Sequence, residues 1–327
     1  MKKGYSHYKS VEVNFHDPEK LRESTSYKVE ISRYIMQSCR LFTARKIILH
    51  RITESTVSGN LGHGISCTST ETDNHIFHIE RSKVTNNGIS SSFGKKQLEG
   101  VHLNATNQVF QIINSFLSGN RNGGLYAKLQ IKDGFIPVSA ESHIHGNTFE
   151  YNRGSVLFLE GTTDQYSNVK ATSNYYSVNF ASDSHGKVTS VCNITDLNVL
   201  FQGNVVYNNS GQYIMVFGSS QGSLRLLNNT FYRNRGLGIN YGVTVLLNGK
   251  AEIHNNVFQN PNNRYQISTT LQGSRVSVDA KSNWWGESVL SLVESLIKDK
   301  TKDYRLSLLV DFQPFLYLPP QEVISGK

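Results

Sequence analysis

Asn229-Thr230-Phe231-Tyr232-Arg233-Asn234-Arg235-Gly236 is the stretch whose reading decides the fold. Its opening, Asn, any residue, then an aromatic or β-branched one, returns as Asn256-Val257-Phe258 and Asn283-Trp284-Trp285 at intervals of 27 residues. Towards the N-terminus it returns as Asn204-Val205-Val206, Asn174-Tyr175-Tyr176, Asn147-Thr148-Phe149 and Asn114-Ser115-Phe116, at intervals of 25, 30, 27 and 33. Two weaker copies, Ser55-Thr56-Val57 and Ser82-Lys83-Val84, lie 27 residues apart upstream. Such regularity in a chain without heptads predicts stacked coils.

Each copy joins two-residue alternation to a turn rich in Asn and Gly, as in Val57-Ser58-Gly59-Asn60 and Val84-Thr85-Asn86-Asn87-Gly88. Alternation predicts strands, and Asn and Gly predict positive φ. No copy holds an amphipathic stretch long enough for a helix, which disfavours leucine-rich and ankyrin repeats. A propeller blade needs about 40–45 residues, whereas three short strands and three turns fit about 25–30. The expected architecture is therefore all-β, a right-handed parallel β-helix of roughly ten coils. It is expected over residues 1–286, with the first ~50 residues an incomplete N-terminal part and 287–327 a C-terminal cap of helix plus final strand.

The repeated residues then have physical roles. Phe116, Phe149, Tyr176, Phe231, Phe258 and Trp285, with Val206 at the same place, are expected to stack in an apolar column inside the coil. Asn114, Asn147, Asn174, Asn204, Asn229, Asn256 and Asn283 are expected to form a ladder at an inward turn. An amide both donates and accepts, so identical amides bond along the axis. That ladder accounts for the spacing without a ligand.

Composition bounds the function. Hydrophobic residues make up 38% and charged ones 18%, as expected where many polar turns reach the surface. The net charge is +8, but no basic run exceeds Lys95-Lys96, so nucleic acid is not an expected partner. Cys39, Cys67 and Cys192 make no disulfide framework and are expected as buried free thiols stacked in the coil. No run of 18 apolar residues occurs, so this chain is expected neither to insert into a membrane nor to carry a transmembrane segment. Met1-Lys2-Lys3-Gly4-Tyr5-Ser6-His7 has the basic start of a signal peptide but no apolar stretch after it, and the chain reads equally as a piece of a longer protein. Asn104, Asn193, Asn208 and Asn228 open N-glycosylation sequons, compatible with an extracellular life.

After Gly286 the pattern changes. Val289, Leu292, Val293, Leu296 and Ile297 form a helical stripe, followed by Leu306-Ser307-Leu308-Leu309-Val310 and Phe312-Gln313-Pro314-Phe315-Leu316. A helix and the Trp284-Trp285 pair would cover the open edge of the last coil. This ending, Asn283-Trp284-Trp285-Gly286 with Val310-Asp311-Phe312-Gln313-Pro314-Phe315-Leu316, looks like the closing module of right-handed parallel β-helix domains. Combined with the Asn-rich turns of Asn228 to Gly236, it is similar to the extracellular β-helix arrays of the bark beetle (Anakonda) family, over roughly residues 50 to 318. That family consists of large single-pass proteins at corners where three epithelial cells meet. The resemblance implies an extracellular adhesion scaffold whose partners are other cell-surface proteins or glycans. It places a parent protein at the extracellular face of the plasma membrane, at cell junctions.

The alternative is a carbohydrate-active β-helix, a hydrolase, lyase or epimerase. Gly62-His63-Gly64-Ile65-Ser66 looks like the Gly-His-Gly element of polygalacturonases, but no Asn-Thr-Asp, Asp-Asp pair or Arg-Ile-Lys accompanies it. A hydrolase needs two carboxylates across the scissile bond, and a lyase usually adds carboxylates holding Ca²⁺. Asp73 and Asp133 stand alone, and Glu141, Glu150, Glu160 and Asp164 crowd into one coil rather than forming an acidic column. His143 with His145, and His75 with His78, lack further ligands for a metal. No catalytic residue, metal or cofactor is therefore expected.

Overall fold

The structure, a computed structural model, describes residues 47–60, 62–69, 74–88, 99–130, 141–162, 167–182, 187–238, 242–270 and 277–320. Cys39, Asp73, Asp133, Asp164, Lys95 and Lys96 lie outside the described residues. The chain forms a parallel β-solenoid. A 17-stranded sheet and an 8-stranded sheet carry the coils, with a two-stranded ladder of Ser210–Gly211 and Arg235–Gly236. The smaller sheet runs in chain order from Thr56–Ser58 to Val257–Gln259, each strand pairing in parallel with its counterpart one coil away. Two long strands, Tyr213–Leu227 and Val243–His254, pair with each other with a register shift between Gly218 and Ser223, and each also pairs with two successive strands of a neighbouring coil.

Alternation drives each coil. In Asn198–Gln202, Val199 and Phe201 are buried and their neighbours half-buried, so one face of the pleat enters the core. Parallel register then stacks like on like, placing Val169, Val199, Leu224 and Ala251 in one buried column. In the smaller sheet the central residue of each strand points inward. The column runs Val57, Val84, Leu117, Phe149, Tyr176, Val206, Phe231 and Phe258, and Trp285 follows beneath Phe258. Ring centroids lie 4.9 Å apart for Phe149–Tyr176, 5.2 Å for Phe231–Phe258 and 5.1 Å for Phe258–Trp285. Val206 cannot continue the stack, and Tyr176 meets Phe201 of the facing sheet at 5.7 Å.

Phe116 is a correction. It pairs with Lys83 and Thr148 on the outer face and is half-buried, while Leu117 fills the column. The reading frame of that copy slips by one because Ser115, not Asn114, stands at the inward turn.

The ending also differs from expectation. The helix covers only Leu290–Ser295, and a helix this short buries one narrow face. Val293 and Ile297 are buried and Leu296 packs against the core, but Val289 is 53% and Leu292 46% exposed. Ile297–Lys298 then pairs with Ile267 and Ser268, and Val310–Asp311 with Val278 and Asp279, so the segment continues the sheet beyond the helix. Cys67 and Cys192 are free thiols in different columns, in register with Leu103 and Leu157 respectively, and so do not stack on one another. Burial pushes the Cys67 thiol up to about 11 and that of Cys192 to about 12.

Candidate functional site

The repeated asparagines face inward and bond to one another. Asn147, Asn174, Asn204, Asn229, Asn256 and Asn283 form a continuous ladder in which each Nδ2 donates to the next Oδ1 at 2.9–3.0 Å. Each Oδ1 also accepts the preceding residue's backbone N–H, at 2.8–3.0 Å. Asn174 shows the full complement, because its Nδ2 also donates to the Ile144 carbonyl at 2.8 Å. All four hydrogen-bonding positions of that buried amide are thus used, leaving none for a ligand. Asn114 is exposed, with φ +49°, and is not in the ladder. Ser115 takes its place, its backbone N–H donating to Asn147 Oδ1 at 2.8 Å. Ser82 and Ser55 continue the row upstream, their backbone N–H groups donating to the hydroxyl oxygens of Ser115 and Ser82. A serine hydroxyl has one proton, which Ser115 gives to the Ile113 carbonyl, so side-chain donation along the axis stops there.

A second ladder, absent from the sequence reading, runs through Asn60, Asn87, Asn120, Asn152, Asn179, Asn209, Asn234 and Asn260. Its signal was present, since these residues follow the first row by four or five positions. The positive-φ residue of the turn is the one before it, as at Asn86 (+55°), Tyr151 (+54°) and Val178 (+52°). From Thr148–Glu150 onward each strand of the smaller sheet therefore runs between two rows of stacked amides, and the three strands before it run between a serine row and an amide row. Gly64, Gly100 and Gly124 stack in register beside this second turn. A Cβ on Gly64 would stand 2.6 Å from Asn87 Nδ2, and one on Gly100 2.7 Å from Asn120 Nδ2. The second glycine of Gly62-His63-Gly64 is thus required by packing.

The sequons divide in two. Asn208 and Asn228 are exposed, at φ +52° and +56°, each followed by a ladder asparagine. Their Asn-Asn-Ser and Asn-Asn-Thr triplets are the turn formula itself. Asn104 and Asn193 sit half-buried in strands of the larger sheet.

On the outer surface, register gathers charges. Glu252, Asp279 and Asp311 occupy one position in successive coils, which corrects the expectation of no acidic column. Basic groups accompany them: Arg225 reaches Glu252 at 3.2 Å, His254 lies 3.6 Å from Asp279, and Lys281 lies 2.8 Å from Asp311. His143 lies 3.5 Å from Glu141, and His145 contacts Thr172 at 2.8 Å. His75 and His78 point to opposite faces, His75 buried and His78 beside Gln111 and Glu80.

The densest constellation lies where the loop before Ile65–Ser69 stacks on the segment before Val101–Ala105. There Glu99 Oε2 is 3.2 Å from His63 Nδ1 and 3.1 Å from His102 Nδ1. Backbone bonds from Gly64 to Glu99 and from Ile65 to Gly100 hold the two coils in register. Glu99 is 3% exposed. Burial pushes its carboxyl up, but the contacts from His102 and His63 outweigh that and hold it at about 2. The imidazoles of His63 and His102 lie 4.5 Å apart. His102 stacks on Tyr126 at 4.6 Å and 5°, and Tyr126 on Phe158 at 5.2 Å, an outward aromatic row over successive coils. The Tyr126 hydroxyl meets Glu160 at 3.4 Å, with Lys128 also on Glu160 at 3.0 Å. Between the first two described coils, His50 Nε2 lies 3.2 Å from His75 Nδ1, with Cys67 close by. Burial, then the neighbouring His75, lowers the His50 pKa to about 4.

Among the described residues no helix is long and apolar enough to cross a membrane. No family model and no solved structure matches the chain. It is similar to Protein bark beetle of Drosophila melanogaster, 24% identical over 308 residues. The match covers 85% of this chain and 9% of that much longer protein.

Proposed function

We propose that this chain is a non-enzymatic extracellular interaction scaffold, a β-solenoid of the kind arrayed in a junction protein. The observation that carries the reading is the similarity to Protein bark beetle across 85% of the chain. Two features support it. The residues that repeat most strictly are consumed in internal amide ladders and ring stacks, which gives length and rigidity rather than chemistry. The outward carboxylates of Glu252, Asp279 and Asp311 stand among Arg225, His254 and Lys281 rather than facing one another across an open cleft. The solenoid presents long faces to cell-surface proteins or glycans, and glycans on Asn208 and Asn228 would project from exposed turns. The acidic column favours one other reading, a polysaccharide-acting enzyme.

One paired experiment separates them. Labelled chain applied to living epithelial sheets is expected to be retained at cell contacts. The same chain incubated with pectin or alginate is expected to release neither reducing nor unsaturated ends. Product release that disappears in Asp279→Asn would replace the scaffold with the enzyme.

A further inference from the structure

We infer that His63, Glu99 and His102 form a binding site for one divalent transition-metal ion of the zinc class. The donor set is two imidazole nitrogens and one carboxylate oxygen, a combination that suits zinc, cobalt or nickel and disfavours the all-oxygen preferences of calcium and magnesium. Bonds of about 2.0–2.2 Å around a tetrahedral ion set donor–donor edges of roughly 3.3 Å. The structure holds Glu99 Oε2 at 3.2 and 3.1 Å from the two Nδ1 atoms, and all three donor atoms lie within 4.8 Å of one another. A small rotation of the His63 ring closes the third edge.

The surroundings are suited to this use. Glu99 keeps only 4% of its side-chain surface open, while His63 and His102 keep about a fifth (22% and 19%), so an ion reaches the site from the imidazole side. Tyr126 lies parallel to His102 at 5° and fixes the plane of its ring. The ion would tie two coils together at one corner and leave its open position facing outward, beside the Tyr126–Phe158 row. The sequence does not display the trio because Glu99 lies 36 residues from His63, off the prevailing period.

The test uses the full chain, stripped with a chelator and titrated with Zn²⁺ and, separately, Co²⁺. Binding of one ion per chain is expected by calorimetry and elemental analysis, with Co²⁺ giving visible bands of nitrogen and oxygen ligation and no thiolate charge-transfer band. H63A/H102A should abolish binding, and E99Q, which keeps the shape of the carboxylate, should weaken it at least about tenfold. Circular dichroism of E99Q confirms that the solenoid persists. Absence of binding by the parent chain overturns the assignment. So does binding that survives both variants, or that shows a thiolate band and disappears in H50A/C67A, which would move the ion to His50, Cys67 and His75.

Discussion

Asn174 donates its side-chain amide to Asn204 Oδ1 at 2.9 Å across 30 residues of sequence. That bond is the repeat unit of the molecule, since each coil meets the next through an amide that also holds the neighbour's backbone. In a dry turn a polar group must be paired, and from Asn174 to Asn256 the ladder pairs each amide with an identical group above and below.

Asn204→Ala should therefore be severely destabilising. It leaves the Asn174 N–H and one of its two Nδ2 protons without their acceptor, and it takes one donor each from the Ala171 carbonyl and from Asn229 Oδ1, which keeps the Asn204 N–H. Each unsatisfied buried group costs about 1–3 kcal/mol, so a loss of at least about 3 kcal/mol is expected in urea unfolding. Asn114→Gly, at an exposed positive-φ position, should change stability by less than about 1 kcal/mol. Comparable losses for the two would refute the one-residue frame correction.

The apolar column makes a parallel contrast. Phe231→Ala removes a fully buried ring stacked on Phe258 and should cost about 3–5 kcal/mol. Phe116→Ala, on the outer face, should cost about 1 kcal/mol or less. The check is the shift of the denaturant midpoint at unchanged slope.

Glu99 should govern acid stability. Its folded-state pKa is about 2, against an ordinary 4.5, so the unfolded chain binds more protons between those values. The stabilisation is complete above about pH 4.5 and is lost as pH falls towards 2. The groups facing the carboxylate are His63, His102 and Tyr126. E99Q should flatten the pH dependence of stability in that window. A variant whose melting temperature falls with acid as steeply as the parent's would show that the carboxylate is not held by its imidazoles.

Much of this architecture was legible in the sequence, for a physical reason. Parallel register sets like residues over like, so Phe231 over Phe258 and Asn229 over Asn256 appear as a period. The frame slipped at Asn114 because serine can imitate the accepting half of an asparagine, and Ser115 carries the row while Asn114 looks the better match. The second ladder was hidden because Asn in a turn reads as a positive-φ residue, a role that Tyr151 and Val178 fill instead. The acidic column escaped because Asp311 follows Asp279 across the inserted helix, at 32 residues rather than 27. The stripe of Val289 and Leu292 suggested a longer buried helix, yet only Val293, Leu296 and Ile297 find the core.

A chain ending at Gly286 should aggregate. It would lose the pairings of Ile297 with Ile267 and of Val310 with Val278, and uncover two rows of strand-edge amides. It would also lose the burial of Val293, Leu308 and Phe315, each on the order of 1.5–3 kcal/mol. Sedimentation and thermal melting decide this. A monomer with the parent melting temperature would make the segment a dispensable appendage.

The claim on which all else rests is the parallel register of successive coils, and paired cysteines test it most directly. Tyr207 and Tyr232 are register partners on the outer face, with rings 5.8 Å apart. Parallel neighbours about 4.8 Å apart lie within the Cα range of a disulfide, whereas a partner shifted by two residues lies more than about 7 Å away. Under mild oxidation, Y207C/Y232C should form the intramolecular disulfide joining positions 207 and 232, identified by peptide mapping, and Y207C/T230C should not link its introduced pair. Failure of the first pair to close, or equal closure of both, would contradict the solenoid.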